Sequence, residues 1–68
     1  MVTWYIRFHY GRERWMVTSG SSVIAPDDRF IGLKGEVRTE PKFFKKEEKA
    51  RQVLLLHSGI EKTLEELQ

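Results

Sequence analysis

Between Val2 and Tyr10 every second residue is apolar. Val2, Trp4, Ile6, Phe8 and Tyr10 alternate with Thr3, Tyr5, Arg7 and His9. A period of two is the signature of a strand with two unlike faces. Gly11-Arg12 then suits a two-residue hairpin loop with glycine at its first central position, where φ is positive. Folding back at that point sets Tyr10 opposite Glu13, His9 opposite Arg14, Phe8 opposite Trp15, Arg7 opposite Met16 and Ile6 opposite Val17. Apolar residues meet apolar residues on one face, and a slip of one residue would destroy the match. An N-terminal hairpin is therefore the frame on which the rest must be placed.

The rest is short. With 68 residues the chain makes one domain, 1–68, and buries only about 60% of the surface of its unfolded form. It has no cysteine, so no disulfide and no thiolate metal site assists it, and its two histidines, His9 and His57, are too few and too distant for zinc. Gly20-Ser21-Ser22 and Ala25-Pro26-Asp27-Asp28 are turn chemistry around the apolar pair Val23-Ile24. Residues 30–39, FIGLKGEVRT, read as a third strand. Ile31, Leu33 and Val37 point one way and Phe30, Lys34, Glu36 and Arg38 the other, with Gly32 and Gly35 marking a bulge or bend.

From Phe43 the period becomes helical. Ala50, Val53, His57, Ile60, Leu64 and Leu67 advance by alternating threes and fours, with Leu54 and Leu56 widening the seam. Gly59 suits a helix end, and Ser58 with Glu61 suits a cap on a second helix. The spacing thus predicts a helix over about 43–57 and a shorter one over about 59–67, a single long helix being the rival. The fold class expected is α+β: a three-stranded antiparallel sheet from residues 1–40, covered on one face by the helical part, 43–68, with a short helical tail. The tail stripe is expected to pack on its own sheet or, as the less favoured arrangement, to form a homodimer through Ile60, Leu64 and Leu67.

Enzymatic constellations are lacking. The serines have no histidine and carboxylate in triad order, Gly20-Ser21-Ser22 lacks the lysine of a phosphate loop, and Asp27-Asp28 beside Pro26 is a polar turn. His57, on the helical seam, reads as a hydrogen-bonded residue at the edge of the core. The chain is read as non-enzymatic, with no cofactor and no metal. No apolar run is long enough to span a membrane and no signal peptide is visible, and the lack of cysteine fits a reducing cytoplasm.

The polar face of the sheet is the better lead. Twelve Lys and Arg against ten Asp and Glu give a net charge of only +2 and a pI near 9.2, but the front is basic and the tail acidic. The helix leaves that sheet face open in this reading. Tyr5, Arg7 and His9 on the first strand, Arg14 on the second and Lys34 and Arg38 on the third combine cations with an aromatic. That mixture contacts nucleic-acid phosphates and bases. DNA or RNA is the expected partner. The other reading is a small interaction or inhibitor protein, supported by the exposed apolar residues and the amphipathic tail.

WYIRFHYGRERW, a third strand and then FFKKEEKARQVLL opening a helix resemble the N-terminal arm-type DNA-binding domain of tyrosine recombinases, a three-stranded sheet plus helix similar in form to plant AP2 domains. The resemblance implies that the sheet lies in the DNA major groove, with Arg7, Arg14 and Lys34 as its contacting residues. Lys46, Glu47 and Ala50 loosely match the family's lysine-glutamate-alanine stretch at the helix start. The family's threonine before the helix is missing, and the connection between strands two and three is long.

Overall fold

The computed structural model describes residues 2–20 and 24–67, the last five of these through their backbone alone. Within them are strands β1 (Tyr5–His9), β2 (Arg14–Thr18), β3 (Phe30–Ile31) and β4 (Val37–Arg38) and one helix, α1 (Glu47–Leu67). The sheet is antiparallel in the order β1-β2-β3-β4, so it has four strands rather than three.

The hairpin register is as expected from the alternation: Ile6 faces Val17, Arg7 Met16, Phe8 Trp15 and His9 Arg14. The loop is not. Residues 10–13 form a four-residue turn closed by the Glu13 N–H donating to the Tyr10 carbonyl at 3.3 Å, and the left-handed residue is Glu13, at φ 51°, not Gly11. Longer loops of this kind are built around an ordinary turn, which moves the positive φ away from the first central position. The His9 ring secures the arrangement, its Nδ1 accepting from the Arg12 N–H at 3.1 Å.

The expected third strand is itself a hairpin. The Gly32 N–H donates to the Glu36 carbonyl at 2.9 Å and the Gly35 N–H to the Gly32 carbonyl at 3.0 Å, which turns the chain between β3 and β4. Gly35 carries φ 78°, a conformation that side chains with Cβ resist. Its turn lies directly on α1: a Cβ there would stand 3.1 Å from Leu56 Cγ and from Ile60 Cδ1 and 3.2 Å from the His57 backbone nitrogen. The two glycines therefore reverse the chain and do more than bend a strand. The turn expected over residues 25–28 is present, with the Asp28 N–H donating to the Ala25 carbonyl at 3.1 Å. Ser21, Ser22 and Val23 of the preceding expected turn and apolar pair lie outside the described residues.

Residues 42–46 do not belong to the helix. Phe44 pairs antiparallel with Trp15, each N–H donating to the other's carbonyl at 2.8 and 2.7 Å, so this segment occupies the edge of β2 that β3 leaves free. The helix then starts at Glu47 and continues through Gly59 to Leu67 without a break. Ser58 caps nothing. Its hydroxyl donates to the Leu54 carbonyl at 3.1 Å, one turn back, while Glu61 turns to His57. A single exposed glycine costs a helix about 1 kcal/mol, too little to stop one anchored by packing on either side.

Val17, Ile31, Phe44, Ala50 and Val53 form the core between sheet and helix, flanked by Trp4, Ile6, Trp15 and Leu54. His57 closes its far end. Its Nδ1 lies 2.9 Å from the Gly35 carbonyl and its Nε2 2.9 Å from Glu61, and the ring stands edge-on to Trp4 at 5.3 Å. As read from the sequence, it is a hydrogen-bonded residue at the core edge. The opposite sheet face is not open. Met16, Thr18 and Phe30 make a buried file along it, each 1% exposed. The Thr18 hydroxyl donates to the Arg29 carbonyl at 3.0 Å and accepts from the Gly20 N–H at 2.9 Å.

Gly59 within α1 and Gly35 against it should respond in opposite directions to an added Cβ. A Cβ at Gly59 meets nothing within 4 Å, so Gly59→Ala should stabilise the fold by about 1 kcal/mol. Gly35→Ala should destabilise it by at least about 1–2 kcal/mol through φ strain alone, with the crowding against α1 adding to that figure. Thermal melts of the two variants check both signs.

Glu36 generates a pH effect. Its carboxyl is held below the ordinary 4.5 by a hydrogen bond from its own backbone N–H first, then by the Lys34 N–H and the charges of Arg38 and Lys34, against opposing desolvation. Ionised Glu36 therefore stabilises the fold above 4.5, and this contribution is lost as pH falls through the lowered value. Acid titration of stability should lose that component in Glu36→Gln, with the neutral-pH melting curve of that variant lying below wild type.

Candidate nucleic-acid interface

The six residues expected at the interface do not share one surface. Tyr5, Arg7 and His9 lie half-buried on β1, and Arg14 faces His9 across the hairpin, so these four are contiguous. Each bar Arg7 is tethered. The Tyr5 hydroxyl donates to the Gly20 carbonyl, the His9 ring accepts from the loop, and Arg14 Nη1 donates to the Glu13 carbonyl at 3.1 Å. Arg38 sits across the sheet opposite Phe30, beyond the buried file of Met16, Thr18 and Phe30. Its guanidinium is turned to Glu40, with Nε donating to the carbonyl at 2.9 Å and Nη2 lying 3.5 Å from the carboxylate. Lys34 is not on the sheet at all. It lies in the turn between β3 and β4, at the end where that turn meets Leu56 and Ile60.

A tighter cluster forms where the hairpin loop meets residues 42–46. The Trp15–Phe44 pairing holds this segment extended, which turns Phe43 to the face opposite the core, because neighbouring residues of an extended chain point to opposite sides. There the Phe43 ring stands edge-on to His9 at 5.5 Å and lies under the Arg12 guanidinium, 5.0 Å from the ring centre. Lys42 lies 6.0 Å from the centre of the Phe44 ring, and Lys45 and Lys46 follow, both exposed. Tyr10, 84% exposed at the loop, stands edge-on to Phe8 at 5.1 Å, on the other face of the hairpin from His9 and Phe43.

Arg12, Arg14, Lys42, Lys45 and Lys46 thus gather about the hairpin-loop end, Arg12 on the Phe43 side of the extended segment and Lys42 on its Phe44 side. Among the described residues none of the five has a carboxylate partner; the ion pairs are Arg38–Glu40, Arg51–Glu47 and His57–Glu61. Lysines ahead of α1 also oppose the positive end of its dipole, which Glu47 and Glu48 in the first turn only partly offset. An anion placed among them would relieve both repulsions. The sequence signal for this cluster is the run KFFKK, two aromatics enclosed by lysines. Assigning it to the helix start hides it, because a helix would scatter those five side chains around its circumference.

An open groove of about 500 Å³ runs along the β4 edge, lined by Arg29, Glu36, Val37, Arg38, Thr39 and Glu40. Its cations are already engaged: Arg29 donates to the carbonyls of Asp27 and Asp28, and Arg38 to Glu40. Among the described residues there is no group of three or more His, Cys, Asp or Glu side chains able to hold a metal, and no helix long and apolar enough to cross a membrane. In comparisons with protein-family models, curated proteins and solved structures, none matches this chain.

Proposed function

We propose that this chain is a small, non-enzymatic nucleic-acid-binding module that grips the phosphate backbone with its basic end. The observation that carries the reading is the stacking of Arg12 on Phe43, which brings the hairpin loop against residues 42–46 and gathers cations without carboxylate partners around that end. Phosphates supply most non-specific affinity, and cations spaced over a rigid surface collect it without sequence preference. Arg12, Lys42, Lys45 and Lys46 serve as the principal phosphate contacts, with Arg14 and Arg7 extending the strip along the hairpin. Tyr10 offers a ring on which an unpaired base stacks, an interaction worth about 1–3 kcal/mol. His9 acts indirectly, holding the loop through the Arg12 N–H and supporting Phe43. Lys34 and Arg38 lie off this surface and take no part.

The test is fluorescence anisotropy on single-stranded DNA, single-stranded RNA and duplex DNA over a salt series. Replacing Arg12, Lys42, Lys45 and Lys46 with alanine should flatten the slope of log affinity against log salt by about 0.7–0.9 for each phosphate no longer neutralised. The melting temperature should hardly move, since these side chains lie outside the core. The double variant Lys34→Ala/Arg38→Ala should bind as wild type does. Equal affinity of wild type and the quadruple variant for all three ligands at low salt would sink the proposal.

A further inference from the structure

The end of the molecule away from the basic cluster is apolar. Leu33 and Val37, from the β3–β4 hairpin, are 50% and 52% exposed, and Leu56 and Ile60 on α1 are 48% and 41% exposed. These groups adjoin. Val37 is paired with Ile31, a core residue, so it points to the helix side of the sheet, and the hairpin's Gly35 lies against Leu56 and Ile60. In so short a chain this concentration of exposed aliphatic residues is the kind of patch that marks a contact surface. At about 1.5 Å per residue the 21 residues of α1 extend about 31 Å, against about 17 Å for the five-residue strands, so the helix outruns the sheet. Ile60 meets the β3–β4 turn at Gly35. Leu64 and Leu67 continue the same spacing past that point.

The charges say what covers this end. The last turn of α1 has no basic residue, while Glu61, Glu65 and Glu66 stand against Lys62 alone over its final stretch. Carboxylates there oppose the negative end of the helix dipole. At the other end of the helix Lys45, Lys46, Lys49 and Arg51 outnumber Glu47 and Glu48. A second helix laid antiparallel across the apolar stripe brings its positive end and its lysines to the acidic end of the first. Two-fold symmetry then makes the same contact twice. Parallel pairing would instead set the two acidic ends side by side. We infer that the overhanging part of α1 is a dimerisation element. A second copy of this chain covers Leu56, Ile60 and the adjoining Leu33 and Val37 by antiparallel helix packing, and the Phe43 clusters lie at the two far ends.

Charge exchange tests this independently of nucleic-acid binding, because it leaves Arg12, Lys42, Lys45 and Lys46 untouched. One variant carries Glu65→Lys and Glu66→Lys, the other Lys49→Glu and Gln52→Glu. Sedimentation velocity of wild type from micromolar to near-millimolar concentration should show a reversible monomer–dimer equilibrium. Each variant alone should associate about tenfold more weakly or worse, since like charges then meet at both ends of the pair. An equimolar mixture should recover association as a heterodimer, which no purely structural defect would produce. Ile60→Glu, with helicity checked by circular dichroism, should abolish association. Wild type that stays monomeric throughout the range, or a mixture no stronger than its components, would overturn the inference. A patch that takes only a different protein is the first of those outcomes.

Discussion

Two hydrogen bonds between Trp15 and Phe44 settle more of this molecule than any other pairing. β2 has β1 along one edge, but β3 reaches only its last residue on the other. The Phe44 backbone takes up the donor and acceptor of Trp15 that would otherwise lie against apolar surface unpaired, a penalty of about 1–3 kcal/mol for each group. Fixing Phe44 there determines where the helix can begin. It sets Ala50 and Val53 over Val17 and Ile31, and it sends Phe43 to the opposite face, where it meets His9 and Arg12. Core and candidate site are thus two sides of one extended segment.

How far the sequence disclosed this depended on how local the cause was. The hairpin register was legible because five consecutive cross-strand pairs had to agree at once, and only one alignment satisfied them. The helical seam through Ala50, Val53 and His57 was legible for the same reason, and all three are buried. The loop geometry was not, since the four-residue turn puts the left-handed residue at Glu13, and the His9 ring nitrogen that accepts from the Arg12 N–H is a contact that alternation does not register. The β3–β4 turn escaped because FIGLKGEVRT alternates passably as one strand. Only the close approach of Gly35 to α1 reveals that the chain must reverse there.

The candidate site divides along the same line. The hairpin register that the alternation dictates puts Arg7, His9 and Arg14 side by side. Lys34 and Arg38 were assigned to a face that the chain does not form as one continuous surface: Met16, Thr18 and Phe30 seal its middle. The grouping of Lys42, Lys45 and Lys46 with Arg12 depends on a long-range pairing that periodicity cannot register. The resulting polarity, with cations around Phe43 and carboxylates at the distal end of the helix, gives the molecule a direction that its net charge of +2 conceals.

The same Trp15–Phe44 pairing also has a kinetic meaning. Both hairpins close over a few residues and can form on a microsecond scale, and the helix can propagate as soon as it is nucleated. None of these pieces is stable alone, since an isolated two-stranded ribbon and a lone helix are each marginal in water. Bringing Phe44 back to Trp15 closes the long intervening chain, an entropic cost met before the helix gains anything from the sheet. Joining the two edges of β2 is therefore the step at which separate fluctuating pieces become one cooperative unit, and the amides of Trp15 and Phe44 belong among the last to exchange with solvent.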